Sequence, residues 1–475
     1  MIPDRLRPLV AQTSGLAERF AAAGARLYLV GGVVRDAVLG RVDSRSEEPR
    51  DLDFTTDAVP DRIEEIVAGW ADAVWTTGKR FGTIGIRVSG DKVGDPDGPP
   101  RVMEITTHRA EAYHADSRKP DVVFAEAVEA DLSRRDFTVN AMALSVPDLA
   151  LIDPFDGLGD LAAGRLRTPL SPEESFSDDP LRMLRAARFI AGYGLEPDAG
   201  LVAAVVALRE RLGIVSEERI RAELDKLLVV PGPGAGLWFL VRTGLAEEFL
   251  PELPALALEQ DPIHRHKDVL AHTIAVVEKT SPDRILRLAA LFHDVGKPKT
   301  RSFGPNGAVS FHHHEMVGAR MTRDRMRALK YSNEDVDQVS RLVELHLRFH
   351  TYKLGWTDSA VRRYVRDAGD LLDRLNELTR SDCTTRNAAR ARALSKRMDA
   401  LEARIAELKQ QEELDAIRPD LDGRAVMAHL GIAPGPMVGK ALAYLLELRL
   451  EEGPLGVEEA KHRLDQWWKA QQTGS

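Results

Sequence analysis

The feature that most constrains the fold is a short apolar run that ends in two glycines. Residues 27–30 predict a buried strand, and Gly31 and Gly32 follow it directly. Glycines let the backbone approach a phosphate closely, and a helix beginning near Val33 would direct its free N–H groups at that anion. The pattern therefore predicts a strand, a tight turn and a helix arranged around a phosphate group.

A second predicted strand carries Asp51 and Asp53. Alternation along a strand places both carboxylates on one face, about 7 Å apart, where they can hold Mg²⁺ against a triphosphate. Each half alone also fits an ordinary Gly-rich turn or a surface Asp-x-Asp, but together they predict nucleotidyl transfer. Glu104 alternates with apolar neighbours in a further strand pattern, so it is either a third carboxylate of the site or an exposed strand residue.

Composition limits the class of protein. A chain of 475 residues with 44% hydrophobic and 29% charged residues predicts several globular domains with ample core. No apolar run approaches 18 residues and Cys383 is the single cysteine, so we expect no membrane partner and a reducing cytoplasm. The net charge of −9 argues against a large nucleic-acid footprint, but basic residues cluster over 182–221 and allow a local RNA surface.

The pattern along the chain predicts an α+β protein of four domains. Residues 1–165 mix strand-like runs at 26–30, 51–56, 82–88 and 101–107 with helices, which predicts an α/β head. Residues 166–255 predict a helical neck, and 256–386 predict a histidine-rich domain that is helical throughout. Residues 387–475 predict a helical tail. Within the head, the polar run from His108 to Pro120 predicts a mobile loop near substrate.

Two polar blocks add candidate nucleotide contacts. In the first, Arg135 is suited to clamp a triphosphate and Asp136 to orient it or to contact the sugar, although the same residues also occur as ordinary surface charge. The second block holds two adjacent aspartates, Asp178 and Asp179, and one of them is explained as the N-cap of a helix that starts near Pro180. Capping leaves unexplained a stripe of arginines spaced by three, at Arg182, Arg185 and Arg188.

Asp179 and Arg182 together fit the Watson–Crick edge that cytosine and adenine share. Both bases present an exocyclic amine that donates and a ring nitrogen that accepts, which match a carboxylate and a guanidinium. Uracil and guanine present the inverse pattern and would leave buried polar groups unpaired. The pair therefore predicts selection of C and A over U and G, with Arg185 and Arg188 left for base or phosphate.

These motifs, in this order, resemble the class II tRNA nucleotidyltransferase and bacterial poly(A) polymerase family. The block 152–157, the neck pattern 216–226 and the loop residues Tyr113, Asp116, Arg118 and Pro120 are similar as well. The resemblance implies a polymerase-β-like head and assigns roles to residues of this chain. Metal binding falls to Asp51 and Asp53. Nucleotide contacts fall to Gly32, Arg35, Arg135, Arg185 and Arg188, and the amino-acid template for C and A to Asp179 and Arg182. Asp178 departs from the Glu usual in the family.

A second group of residues resembles the HD metal-phosphohydrolase superfamily. His293 and Asp294 are adjacent at the end of an apolar helix pattern, and the resemblance implies four further metal ligands, His272, His314, His346 and Asp382. Six such ligands would suffice for a two-metal site that activates water. The alternatives are a buried, hydrogen-bonded His–Asp pair or a structural relic. His264 and His266 are predicted either to lie at the surface or to contact the metal ligands without binding the metal themselves.

The sequence as a whole predicts an enzyme that adds CCA to the 3′ end of tRNA from CTP and ATP, with Mg²⁺ at the head and unidentified divalent metal at the HD site. Its nearest alternative is a poly(A) polymerase, which would share every catalytic residue named. Two alternatives from other classes are a phosphohydrolase whose HD site is the main activity and a pure RNA-binding module.

Overall fold

The computed structural model describes residues 7–41, 52–112, 121–146, 148, 150–258, 268–304, 309–351, 356–383, 388–412 and 417–473. Within it the chain divides into two compact units, Met1–Glu223 with Ala235–Glu248, and Leu224–Gly234 with Phe249–Ser475. Several predicted residues lie outside the described ranges, namely Asp51, Tyr113, Asp116, Arg118, Pro120, His264 and His266.

The first unit is built on a mixed sheet. Its strands, with those of a separate hairpin, are β1 (Leu27–Val30), β2 (Leu52–Thr56), β3 (Ala73–Trp75), β4 (Thr83–Val88), β5 (Arg101–Thr107), β6 (Arg109–Ala112), β7 (Asp121–Phe124), β8 (Ala143–Val146) and β9 (Leu151–Ile152). Seven of them form a sheet in the order β3-β4-β5-β2-β1-β8-β9, in which β2 and β5 run parallel and the other described pairs antiparallel.

Strand β1 is an interior strand of this sheet, between β2 and β8, and both of its faces are apolar. Leu27 and Leu29 belong to the larger core, while Tyr28 and Val30 belong to a second cluster on the opposite face. The helices that accompany the sheet are α1 (Arg7–Ala22), α2 (Gly32–Val38), α3 (Pro60–Val67), α4 (Val128–Ser133) and α5 (Gly157–Ala163). The predicted strand, turn and helix at 27–38 are therefore present.

The predicted loop from His108 onward is wrong in its first part. Arg109–Ala112 forms β6, which pairs with β7, and His108 is completely buried with its Nδ1 2.8 Å from the Thr55 hydroxyl oxygen. The polar sequence concealed the strand because the backbone of this segment finds its hydrogen bonds in a hairpin, and tertiary pairing overrides composition.

The neck is helical, as predicted, apart from one short strand pair. Its helices are α6 (Pro172–Asp178), α7 (Leu181–Tyr193), α8 (Ala199–Leu208), α9 (Glu217–Leu228) and α10 (Gly234–Arg242). The pair is β10 (Arg165–Leu166) with β11 (Glu196–Pro197), and it is parallel.

The second unit holds the histidine-rich segment and the tail. Its helices are α11 (Val269–Lys279), α12 (Arg284–Phe292), α13 (Lys297–Thr300), α14 (His314–Ala328), α15 (Asn333–Leu345), α16 (Asp358–Ala368), α17 (Leu372–Asp382), α18 (Ala388–Gln411), α19 (Gly423–Leu430), α20 (Pro436–Glu452) and α21 (Val457–Thr473). The expectation of helices throughout is wrong at one place, where β12 (Arg301–Phe303) and β13 (Val309–Phe311) form an antiparallel hairpin. Alternating Ser and aromatic residues favour a strand there. No described helix combines the length and hydropathy that a bilayer crossing needs.

Candidate functional site

The turn after β1 requires glycine. Gly31 has φ 78°, a left-handed conformation that a side chain makes costly. A Cβ atom at Gly31 would lie 3.3 Å from Arg135 Nη1 and 3.8 Å from Asp53 Oδ2, so the backbone approaches both charged groups closely. Gly32 follows as the first residue of α2, with Arg35 Nη2 3.2 Å from the position of an added Cβ. The turn thus forms a cradle beside a carboxylate and a guanidinium.

Asp53 and Glu104 are neighbours across the parallel pair β2 and β5. The register places Asp53 opposite Glu104, and side chains at paired positions of neighbouring strands point to the same face of the sheet. Both residues are exposed, unlike their buried strand neighbours Leu52 and Met103. The structure therefore brings the predicted third carboxylate beside Asp53.

A polar cavity of about 320 Å³ lies between the head and neck segments of the first unit. Its lining includes five of the predicted nucleotide contacts, which are Arg135, Asp136, Asp179, Arg182 and Arg185. Six arginines and three aspartates contribute to the wall, so positive side-chain charge predominates. A cavity of this charge suits a triphosphate, whose negative charges need guanidinium partners.

A chain of hydrogen bonds fixes the side chains at the back of this cavity. Arg185 donates from Nη2 and Nε to Asp136 Oδ2, at 2.6 and 2.9 Å. The second oxygen of Asp136 accepts from the Asn140 amide at 2.8 Å, and Asn140 Oδ1 accepts from Arg35 at 2.5 Å. Because Arg35 only donates, it fixes which end of the Asn140 amide faces Asp136. Asn140 therefore holds Asp136, and Asp136 holds Arg185.

Burial and charge act in opposite directions on this pair. Burial alone would raise the pKa of Asp136, but the Arg185 guanidinium and the Asn140 amide bring that pKa below its usual value. For Arg185, burial is outweighed by Asp136 and Glu223, which raise its pKa. Both side chains are consequently held in their charged forms.

The proposed base-selecting residues are already engaged with protein groups. Asp179 Oδ1 accepts from the Leu181 backbone N–H at 3.2 Å, so this aspartate also provides the predicted helix cap. Its Oδ2 accepts from Arg219 at 2.9 Å. Arg182 donates to the Ser175 hydroxyl at 2.9 Å and to the Arg134 carbonyl. A base entering the cavity would thus meet side chains whose orientations are set.

Three predicted nucleotide contacts, Gly32, Arg35 and Arg188, lie outside the lining of this cavity. The Arg35 guanidinium is buried, stacks 4.1 Å from the centre of the Tyr193 ring and donates to the Tyr193 hydroxyl. Arg188 donates to Glu223 Oε2 at 2.8 Å. Sequence reasoning named the Gly31 turn but assigned no role to Asn140 or Arg219. The side-chain contacts of these two residues depend on the fold.

The six predicted HD residues converge in the second unit. His272 Nε2 lies 2.9 Å from Asp382 Oδ1 and 3.3 Å from His293 Nε2. Asp294 lies between two sets of histidines, with Oδ2 3.2 Å from His293 Nε2 and Oδ1 3.3 Å from His314 Nε2. Two groups with the spacing of metal ligands result, and they share Asp294. The groups are His272, His293 and Asp294, and Asp294, His314 and His346.

Three of these histidines have fixed tautomers. Their Nδ1 atoms lie 2.6–2.8 Å from backbone carbonyl oxygens, for His293 with Ala290, His314 with Phe311 and His346 with Val343. A carbonyl only accepts, so each Nδ1 carries a proton and Nε2 is the ring nitrogen through which each imidazole, when neutral, can bind a metal. Among the described residues, the buried Nε2 atom of His346 has no hydrogen-bond partner, and that of His314 has only Asp294 Oδ1, 3.3 Å away, as a polar neighbour. A metal ion is the group that would satisfy them.

Electrostatics at this cluster fits a cation. Burial lowers the pKa of His346 to about 3, so its imidazole stays neutral, as a metal ligand must be. Burial would raise the pKa of Asp294, yet the neighbouring His293 and Lys297 hold it well below its usual value. Asp294 is therefore an anion among histidines, and the donor set of imidazoles and carboxylates suits a divalent transition metal.

Comparison with known families places three segments of the chain. Residues 27–167 match the poly A polymerase head domain, and residues 194–256 match the probable RNA and SrmB-binding site of polymerase A. Residues 269–408 match the HD domain.

Three curated relatives cover different shares of the chain. The A-adding tRNA nucleotidyltransferase of Deinococcus radiodurans is 37% identical over 73% of this chain and 81% of its own length. The CC-adding tRNA nucleotidyltransferase of Thermus thermophilus is 31% identical over 93% of both chains. The chain belongs to the class II tRNA nucleotidyltransferase and bacterial poly(A) polymerase family. The CCA-adding enzyme of Lactobacillus gasseri, also a relative, is 38% identical over 49% of this chain and 53% of its own.

A solved structure supports the fold over the full length. The CCA-adding enzyme of Bacillus stearothermophilus, in complex with CTP, covers 100% of both chains with a TM-score of 0.70 and 21% identity. The predicted polymerase-β-like head, helical neck and HD domain are confirmed at the level of fold. The exact domain boundaries stay predictions of the sequence.

Proposed function

We propose that this tRNA nucleotidyltransferase adds CCA to the 3′ end of tRNA without a nucleic-acid template, using CTP and ATP in the cytoplasm. The observation that carries the proposal is the polar cavity, in which Asp179 and Arg182 line the same wall as the arginines suited to a triphosphate. A pair that fits C and A at one site needs no template strand.

The head carboxylates fit a catalytic Mg²⁺. Asp53 and Glu104 are exposed oxygen donors on one face of the sheet, beside a glycine turn that a Cβ would crowd. Together with Asp51 they would hold the ion, which when bound supplies Lewis-acid stabilisation of the phosphate oxygens. Arg135, Arg185 and Asp136 orient the nucleotide, the last through its hydrogen bonds to Asn140 and Arg185.

The reaction transfers one nucleotidyl group per cycle. The RNA 3′-hydroxyl oxygen forms a bond to the α-phosphorus, the bond to the β-phosphate bridging oxygen breaks, and pyrophosphate leaves. The hydroxyl proton passes to solvent. Asp179 and Arg182 discriminate by leaving a wrong base with unpaired donors or acceptors in a confined cavity.

Two relatives favour a second candidate within the same chemistry. Two relatives that match 73% and 93% of this chain are named as an A-adding and a CC-adding tRNA nucleotidyltransferase. Partial addition, in which a second enzyme completes the end, is therefore the alternative to CCA addition. A poly(A) polymerase remains the third outcome of the same assay.

The test uses three tRNA transcripts that end before CCA, after CC and after CCA. Each is incubated with the full-length protein, Mg²⁺, and CTP, ATP or both, and products are separated at single-nucleotide length. CCA addition predicts three added nucleotides on the first transcript, one A on the second and none on the third. Two C residues alone or one A alone would establish a partial adder. A long ladder from ATP would establish a poly(A) polymerase.

We propose a second activity, metal-dependent phosphate-ester hydrolysis at the HD cluster. The six ligands would hold one or two divalent ions, with Asp294 shared between two groups of donors. Metal bound there would supply an activated water. The experiment removes metal from the protein, restores single divalent metals, and measures phosphate release from phosphomonoesters, phosphodiesters and cyclic phosphates. Hydrolysis lost in His293→Ala supports the proposal, and no turnover with any metal rejects it.

A further inference from the structure

The β-hairpin of the second unit begins and ends next to the HD cluster. Strand β12 follows α13, which begins at Lys297, and β13 leads within three residues to His314. Lys297 Nζ donates to Asp294 Oδ2 at 2.7 Å, and the Phe311 carbonyl accepts from His314 Nδ1 at 2.8 Å. Both ends of the hairpin are therefore attached to the predicted ligands.

One face of the hairpin is aromatic and cationic. The register pairs Arg301 with Phe311 and Phe303 with Val309, so these four side chains share a face, because paired residues of neighbouring strands point the same way. Ser302 and Ser310, the remaining pair, hydrogen-bond to each other through their hydroxyls at 2.8 Å on the opposite face.

This face of the hairpin extends outward from the HD cluster. Lys297 Nζ lies 5.7 Å from the centre of the Phe311 ring, which places the inner aromatic ring at the cluster. The Arg301 guanidinium lies 4.9 Å from the centre of the Phe303 ring, which is the outer one. Phe303 is 65% exposed, the highest fraction among the large hydrophobic residues described. An exposed aromatic ring costs hydration free energy unless a ligand covers it.

We propose that the Arg301, Phe303 and Phe311 face of the hairpin is a subsite that stacks the base of a nucleotide whose phosphate ester enters the HD cluster. The inference rests on the hydrolytic activity proposed above. An aromatic ring with an adjacent guanidinium matches a base with its phosphate, because every base has a π-face and the phosphate is anionic. Hydrolysis then forms a bond from water oxygen to phosphorus, breaks the ester bond, and leaves the water proton on the departing oxygen.

The direct test is base stacking, which needs no turnover. A 2-aminopurine nucleotide and a short RNA ending in 2-aminopurine are titrated with the full-length protein, with chelator present and excess inorganic triphosphate, which has no base to stack, filling the head cavity. Stacking quenches the probe fluorescence, so we expect quenching with wild type, at least about tenfold weaker binding with Phe303→Ala, and recovery with Phe303→Tyr. Val457→Ala changes another exposed apolar residue, which lies in the tail, and should bind as wild type does.

The two probes also identify the source of the base. Quenching of the mononucleotide alone indicates a free nucleotide as ligand, and tighter binding of the RNA indicates an RNA end. Equal binding of both probes to wild type and Phe303→Ala overturns the subsite.

A second measurement separates failure of the subsite from failure of the hydrolytic activity. With metal restored, the ratio of kcat/KM for a nucleotide ester to that for the matching base-free ribose ester is compared between wild type and Phe303→Ala. The subsite predicts that this ratio falls about tenfold. An unchanged ratio with active hydrolysis contradicts the subsite alone. No hydrolysis by wild type contradicts the proposed activity, while the fluorescence titration still decides the stacking.

Discussion

The two candidate sites differ in the hydrogen-bond and ion-pair partners that their side chains have before a ligand binds. In the head and neck, charged groups hold one another, as Asp136 holds Arg185 and Arg219 holds Asp179. In the HD cluster, backbone carbonyls accept from the Nδ1 atoms of the histidines, and the buried Nε2 of His346 has no hydrogen-bond partner among the described residues. The first arrangement can exchange protein partners for a nucleotide, whereas the second needs a cation to complete it.

The largest expected effect separates the two chemistries. Asp53→Asn should lower nucleotide addition by about a thousandfold or more, because a lost carboxylate ligand forfeits several kcal/mol of charge stabilisation. His293→Ala should abolish ester hydrolysis in the same preparation and leave addition intact. Both activities are measured on both variants. If either variant lost both activities while remaining folded by circular dichroism, the sites would not act separately.

The second-largest effect is expected on the stability of the HD-containing unit when metal is removed. The chelated protein should gain thermal stability when a divalent transition metal is added, by about 2.7 kcal/mol at a concentration 100 times the dissociation constant. Scanning calorimetry and metal content after dialysis measure this. His346→Ala should weaken metal binding, because it removes one donor of the second group. An equal gain in stability for wild type and His346→Ala would argue against metal at the cluster.

The third prediction concerns the hydrogen-bond chain behind the nucleotide cavity. Asn140→Asp keeps an acceptor for Arg35 but removes the donor to Asp136 and adds a like charge beside it. We expect kcat/KM for CTP and ATP to fall about 10- to 100-fold, a loss of about 1.4–2.7 kcal/mol. Asn140→Ser, which retains a donor, should lose less. If Asn140 served only the stability of the fold, Asn140→Asp would lower stability without shifting the pH at which activity declines.

The pH dependence of stability and activity distinguishes these two roles of Asn140. The folded pKa of Asp136 lies below its unfolded value, so its stabilising contribution is present above about pH 4 and is lost as the pH falls through the folded pKa. In Asn140→Asp, repulsion between the carboxylates raises the pKa of Asp136. Its stability and activity should therefore decline at a higher pH than those of wild type. Thermal unfolding from pH 3 to 7 measures the shift.

Sequence reasoning reached the parts of both sites that depend on local pattern. The strand at 27–30, the glycine turn and the Asp53 strand follow from apolar runs and alternation, and their positions in the sheet agree with that prediction. The His–Asp pair at 293–294 was recognisable because both members are adjacent. The family resemblance added the distant ligands, which no spacing rule could have related.

What escaped the sequence depends on contacts between distant segments. The serine and phenylalanine pattern of 301–311 was hidden in a helical region because each strand has only three residues. Asn140 acquires its function from Arg35, which lies 105 residues away. The contact of the buried Arg35 guanidinium with Tyr193 was likewise not foreseen, while its contact with the nucleotide stays a prediction. Short strands and long-range side-chain contacts carry little signal in a single sequence.

The smallest expected effect concerns Arg219, which donates to the Asp179 oxygen that is not used for helix capping. Both residues are partly exposed, so the ion pair itself contributes little stability. Its role would be to fix the carboxylate plane toward an incoming amine. Arg219→Ala should therefore lower the preference for CTP and ATP over UTP and GTP by about three- to fivefold, with little change in thermal stability. Single-turnover rates with each triphosphate measure this preference, and Arg209→Ala, on a neck arginine outside the cavity lining, serves as the matched control. If Arg219→Ala lowered all four rates equally, Arg219 would contribute charge to the cavity but not orientation to Asp179.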